Sequence, residues 1–304
     1  MRIRACSSIW YGCFNNGRET VMQSRGRALV LGAGGLVGTA WTAGVACGLL
    51  RGGVDLGAAD LIVGTSAGAI TAALLATGQD PARLATPVRP ADSGSTPPRV
   101  DGRRLGEVFA VLGSAASDPA GARRRVGRIA LAAETGPEQG HVARMRAMVG
   151  ADGWPDRRLL IPVTDAGTGE REVFDRASGA PLASVVAAST AFPGIYPPIA
   201  LNGRRYMDGS LRSATNAGLA AGARTLVVID PQAHLFPDEL QQQIAAAAAD
   251  TVVTVEPDPA SLRAFGPDLN DRTAWEPAYQ AGLRQAAAAA EHLRVAWSTG
   301  THTG

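Results

Sequence analysis

Ser66 lies in the stretch Leu61-Ile62-Val63-Gly64-Thr65-Ser66-Ala67-Gly68-Ala69-Ile70. The apolar, β-branched run before it predicts a buried strand over 61–63. The stretch after it, Ala67 to Ala76, is rich in helix formers and predicts a helix. Gly64-x-Ser66-x-Gly68 therefore has the strand–turn–helix setting of a nucleophile elbow. A serine on so tight a turn needs small neighbours, because the backbone crowds it on both sides. The turn lifts Oγ clear of the sheet, at the positive end of the next helix, where developing negative charge is favoured. Composition alone could also place a G-x-S-x-G in a chain with 37 glycines.

A second glycine-rich turn comes earlier. Arg27 to Leu31 predicts a strand, and Thr39 to Arg51 a helix. Between them runs Gly32-Ala33-Gly34-Gly35-Leu36-Val37-Gly38. Such a turn leaves backbone N–H groups pointing outward, as a nest for an anion. The anion could be a pyrophosphate or the oxyanion of an acyl-transfer intermediate. The dinucleotide fingerprint is missed by one place, since its third glycine is Gly38. The acid that fingerprint needs at the far end of the second strand is also missing, because Asp60 precedes that strand. A nucleotide-binding or regulatory module built on loop 32–38 is therefore an alternative to an oxyanion hole, and the weaker one.

A nucleophilic serine needs a base. Asp208 follows a short strand and precedes Gly209-Ser210, as a loop-borne carboxylate would. An isolated Asp-Gly is also an ordinary turn, its carboxylate capping its own backbone. A Ser–acid–His order is available through Asp208 or Asp230 with His234 or His292. His292 falls in a predicted helix, and His234 follows Asp230-Pro231 in a loop, so His234 is the better candidate for a triad esterase. His141 and His302 are expected at the surface.

The elements that must position these groups alternate in type, which implies an α/β chain. Further strands are expected over 158–164, 171–174, 224–229 and 251–255, and helices over 182–189 and 275–297. Residues 80–102 carry five prolines and read as loop. Residues 103–113, 120–134 and 138–149 read as Arg-rich helices, so about 80–150 forms a loop and helical insertion, a candidate lid. The proline-stiffened segment Ala191 to Pro198 would make a firm pocket wall.

Composition bounds the rest. The chain has 304 residues, is 46% hydrophobic and only 5% aromatic, and carries a net charge of +2. That charge is too small to argue for nucleic acid. All 29 basic residues are arginine, with local clusters at Arg103-Arg104 and Arg123-Arg124-Arg125 that read as solvated faces. Cys6, Cys13 and Cys47 imply no disulfide framework and no metal spacing, and suit a reducing, cytoplasmic interior. No apolar run approaches the roughly 18 residues of a membrane span. Residues 1–24 lack the apolar core of a secretory signal and are expected to be a variable or disordered extension. Residues 25–300 are expected to form a single domain.

Four blocks in order resemble the patatin-like phospholipase family over roughly residues 27–300. They are Gly32 to Gly38, Gly64-Thr65-Ser66-Ala67-Gly68, Ala188-Ser189-Thr190-Ala191-Phe192-Pro193 through Pro198, and Asp208-Gly209-Ser210. The resemblance implies a three-layer α/β/α fold around a central, mostly parallel sheet. It implies a Ser66–Asp208 dyad without histidine, and backbone amides around Gly34 and Gly35 as an oxyanion hole. Gly32, Gly38, Gly64, Gly68 and Gly209 would support these loops. Lipid or other acyl esters would be the substrates, hydrolysed through an acyl-enzyme, with transient contact at a membrane surface and no cofactor or metal. Two departures stand out: Leu36 and Val37 occupy loop positions where many members carry Arg or Lys, and Ser210 replaces the Gly or Ala that commonly closes the acid motif.

Overall fold

The computed structural model describes residues 26–89 and 99–298. The expected extension 1–24, Cys6, Cys13, His302 and part of the proline-rich loop lie outside the described residues, as does the side chain of His292.

The central sheet is built on five parallel strands. β1 (Arg27–Leu31) pairs on one side with β2 (Leu61–Gly64), which pairs with the first half of β3 (Arg158–Asp165). On its other side β1 pairs with β7 (Thr225–Ile229), which pairs with β8 (Thr251–Val255). The far half of β3 pairs antiparallel with β4 (Arg171–Phe174) and with β6 (Arg204–Met207). β6 in turn forms a hairpin with β5 (Ile199–Leu201). The sheet is mixed and mostly parallel, in the order β5-β6-β3-β2-β1-β7-β8.

Alternation along each strand divides the core into two layers. Leu29, Leu31, Ile62, Leu159, Val227 and Ile229 face one way, into the larger cluster. Helices α1 (Gly35–Arg51), α2 (Ala67–Ala76), α6 (Leu182–Ser189) and α9 (Trp275–Ser298) cover that face. Ala28, Val30, Val63, Leu226 and Val228 face the other way, against α7 (Pro237–Ala247) and the 217–220 turn. The result is helix, sheet, helix. All ten residues of α2 are buried, which explains why Thr71 is the one polar residue in its sequence: the helix has no solvent face to mark.

Three helices intervene between α2 and β3: α3 (Gly102–Gly113), α4 (Pro119–Ala132) and α5 (Glu138–Val149). Asp101 and Asp118 cap the first two, each accepting a first-turn amide. Three features differ from the sequence reading. α1 begins at Gly35, four residues before Thr39, because the glycine turn is confined to residues 32–34. α7 and α8 (Pro259–Phe265) were not expected; both start on a proline in the first turn. Ala245, Ala246 and Ala247 supply the end of α7.

Gly282 does not break α9. It is where α9 lies against α1: a Cβ built there would fall 2.2 Å from the Trp41 carbonyl oxygen. At Gly44, in the opposing helix, a Cβ would fall 2.1 Å from the Tyr279 carbonyl oxygen. Backbone cannot retreat from such a methyl without moving a whole helix. Gly282→Ala should therefore cost roughly 3 kcal/mol of stability, although alanine favours helix elsewhere. Urea denaturation followed by circular dichroism measures this, and a variant as stable as wild type would show the two helices free to slide.

Candidate active site

β2 ends at Gly64, and Ser66 follows at φ 52°, ψ −119°. For a serine this is a disfavoured conformation, held by its surroundings. The Thr65 amide donates to the Leu31 carbonyl at 3.0 Å, which ties the elbow to the end of β1. The Ser66 amide donates to Ser189 Oγ at 3.0 Å, and Ser189 Oγ donates to the Pro162 carbonyl at 2.8 Å. Asn216 Nδ2 donates to Thr65 Oγ1 at 3.1 Å. Gly68 lets α2 start directly above β1, for a Cβ there would fall 2.1 Å from the Leu31 carbonyl oxygen.

Asp208 follows β6 and reaches the elbow from the far side of β3. Its amide donates to the Ala191 carbonyl at 3.1 Å, and its own carbonyl accepts from Thr164 Oγ1 at 2.9 Å. Asp208 Oδ1 accepts from the Ser210 amide at 2.8 Å. Its other oxygen, Oδ2, accepts from Ser66 Oγ at 2.8 Å. One oxygen thus caps the turn and the other meets the serine. Asp208 is buried, and that burial pushes its carboxyl up to about 6 against the bonds from Ser210 and Ser66.

Gly34 and Gly35 stand beside Ser66 on the wall of one cavity of about 440 Å³. Among the described residues their amides donate to no protein acceptor. Gly35 has φ +63°, and a Cβ there would press on the Leu269 carbonyl oxygen at 2.7 Å. The cavity also takes in Asp208 and Ser210. Its walls are largely apolar: Leu36, Ile70, Met145, Met148, Phe192 and Ile195 all line it. Leu105 and Phe109 of α3 and Met145 of α5 bring the intervening helices to it, and exposed Phe109, Leu235 and Phe236 stand around it.

Two sequence expectations about histidine are corrected. His141 is buried, not at the surface. Its Nε2 lies 3.1 Å from the Ala187 carbonyl and 2.9 Å from Thr190 Oγ1, and its ring stacks on Tyr196 with centroids 3.8 Å apart. Burial first, then Arg144, pushes it down to about 3, so it is neutral. His234 is exposed in the loop after β7 and does not line the cavity. Ser66 Oγ bonds Asp208 with no imidazole between them. Asp230 is buried, with Oδ1 accepting from the Gln232 amide at 2.9 Å, and is pushed up to about 7 chiefly by desolvation.

Sequence reasoning did not find the braces. Ser189 was visible within a motif block but not as the support of the Ser66 amide. Nothing in the sequence marks Asn216 or Thr164, which act through contacts more than 40 residues distant. Among the described residues no group of three or more His, Cys, Asp or Glu could hold a metal ion, and no helix is long and apolar enough to cross a membrane.

The family described as Patatin-like phospholipase matches residues 29–221. No curated protein matches the chain. Among solved structures, VipD from Legionella pneumophila is similar at 14% identity and a TM-score of 0.39, over 87% of this chain and 67% of that one. The family match takes in the glycine turn 32–38, the serine elbow, the Ser189 segment and Asp208-Gly209-Ser210: this chain belongs to the patatin-like phospholipase family.

Proposed function

We propose that the chain is a serine acyl hydrolase that cleaves carboxylic esters of lipids through Ser66 and Asp208. Membership in the family supports lipid acyl hydrolysis in general. The observation that carries the finer reading is the 2.8 Å bond from Ser66 Oγ to Asp208 Oδ2, on the wall of an apolar cavity that Gly34 and Gly35 share. A serine held at positive φ next to a buried carboxylate supports that reading.

In this mechanism Asp208 accepts the Ser66 proton as Oγ attacks the ester carbonyl. The amides of Gly34 and Gly35 receive the oxyanion, each donor supporting the transition state by about 3 kcal/mol. The proton passes to the departing alcohol, and the acyl group stays on Ser66. Water, deprotonated by Asp208, then releases the acid. A carboxylate is ordinarily a weak base at neutral pH, and burial raises Asp208 toward the range where it is useful. The apolar walls suit an acyl chain. The helices α3 and α5 wall the cavity as a cover for that chain. Apolar Phe109, Leu235 and Phe236, half exposed around it, suit contact with a lipid surface.

Ser66→Ala should lower ester hydrolysis at least about 1,000-fold, and Asp208→Asn at least about 100-fold. A panel of p-nitrophenyl esters and phospholipids measures both, and near-normal turnover in Asp208→Asn would refute the dyad.

The same carboxyl sets the pH response. With Asp208 pushed up to about 6, kcat/KM should rise with pH and level off above about 6. Asp230→Asn should leave that limb in place, which separates it from the second buried carboxyl near neutrality. A profile flat from pH 5 to 8 would remove Asp208 as the base.

Stability should move the opposite way. Asp208 holds its proton more tightly folded than unfolded, so its stabilising contribution is complete below its ordinary value of 3.8 and is lost as pH rises through about 6. Asp208→Asn, neutral throughout, should therefore melt at a higher temperature than wild type at pH 8, with a smaller gain at pH 4. Melting curves at the two pH values decide it; an equal or reversed effect would show that the buried charge is compensated.

A further inference from the structure

α5 turns one face to the cavity that holds Ser66. His141, and Arg144, Met145 and Met148 at offsets of three, four and seven from it, all line that cavity. Packing explains three of the four. Both methionines are buried, and His141 is neutral and bonded to Ala187 and Thr190. Packing does not explain Arg144, because a half-buried charge on an apolar wall costs desolvation that its methylene stem does not return. Arg146, two residues on, is exposed and lies 3.6 Å from Asp152 on the outer side. Arg144 turns inward. It is the one cationic side chain among the described residues lining the cavity, since the chain has no lysine and His141 is neutral.

The guanidinium is held in a fixed direction. Its Nη1 donates to the Tyr196 hydroxyl at 3.0 Å, and its central carbon lies 5.8 Å from the centroid of the same ring. A hydroxyl orients the group without cancelling its charge. Tyr196 is fixed in turn by stacking on His141, with centroids 3.8 Å apart. His141 Nε2 lies 2.9 Å from Thr190 Oγ1, and the adjacent Ser189 accepts the Ser66 amide. A line of contacts thus follows the cavity wall from the serine to the guanidinium. The charge does not serve the dyad: Asp208 answers to burial and to its bonds from Ser210 and Ser66, whereas Arg144 acts on His141. The other acid on the wall, exposed Asp268, accepts from the Asn270 amide at 2.9 Å.

We propose that Arg144 selects the substrate: the ester carries an oxyanion, a phosphate or a carboxylate, that the guanidinium binds while Ser66 attacks the acyl carbonyl. This rests on the hydrolase reading above and names a substrate group which that reading leaves open. A planar guanidinium binds either oxyanion with paired, charge-assisted bonds. Apolar walls strengthen the attraction by keeping water from it. Tyr196 is a positioning residue that aims the fork.

The test compares a monoacylglycerol with its 3-phosphate and its hemisuccinate, all of one acyl chain and all below their aggregation limits. Binding is measured on the full chain carrying Ser66→Ala, so that no lipid is turned over. The phosphate, the hemisuccinate or both should bind at least about tenfold more tightly than the neutral lipid. Adding Arg144→Gln should remove that preference. Arg144→Lys, which keeps the charge without the fork, should retain part of it, and Tyr196→Phe should reduce it. With Ser66 in place, the effect of Arg144→Gln on the charged ester should fall on KM and not on kcat. Equal loss of affinity for all three lipids would make Arg144 a packing residue and overturn the proposal. So would equal binding of neutral and charged lipids by the parent, or an undiminished preference in Arg144→Gln. Preference through Arg144 in a chain that hydrolyses none of these lipids would remove the hydrolase reading and leave the oxyanion site standing. Hydrolysis without preference would do the reverse.

Discussion

The structure depends on a close approach of backbone to backbone at the top of β1. The Leu31 carbonyl accepts from Thr65, and Gly68 passes over it with no room for a side chain. That contact fixes where α2 begins, and hence where Ser66 stands. A serine at φ 52° stores about 1–3 kcal/mol of strain. The strain persists because the bonds to Ser189, Leu31 and Asn216, with the burial of α2, leave the elbow no alternative.

The parallel sheet then does the positioning. The C-terminal ends of β1, β2 and β7 open on one side, where crevices form in doubly wound sheets. The glycine turn follows β1, the serine elbow follows β2, and Asp230 follows β7. Asp208 arrives differently, from an antiparallel extension. β3 changes from a parallel partner of β2 to an antiparallel partner of β4 and β6, and β6 delivers Asp208 across the end of β3. The Thr164 bond to the Asp208 carbonyl marks that crossing.

Burial has two opposed consequences for this acid. It raises the carboxyl into a range suited to a base, and it charges the fold for ionising it near neutrality. The two bonds Asp208 accepts offset only part of that penalty. Asp230 and His141 illustrate the same force on other groups: burial raises the carboxyl of one and lowers the imidazole of the other, and leaves a neutral histidine in the cavity wall. A neutral His141 held on Ala187 and Thr190 serves packing against Tyr196, which is why its titration has no part in the proposed chemistry.

Much of this was legible in the sequence because it is local. The period of apolar residues marks β1, β2, β3, β7 and β8, and glycines at fixed offsets mark the turns that follow β1 and β2. The pairing of Ser66 with Asp208, 142 residues away, was implied by resemblance and not by spacing. Tertiary structure decided the rest. It buried His141, left His234 exposed, and started α1 at Gly35. Each of these depends on which elements lie side by side, and the local propensities that write helices and strands into a chain carry no information about that.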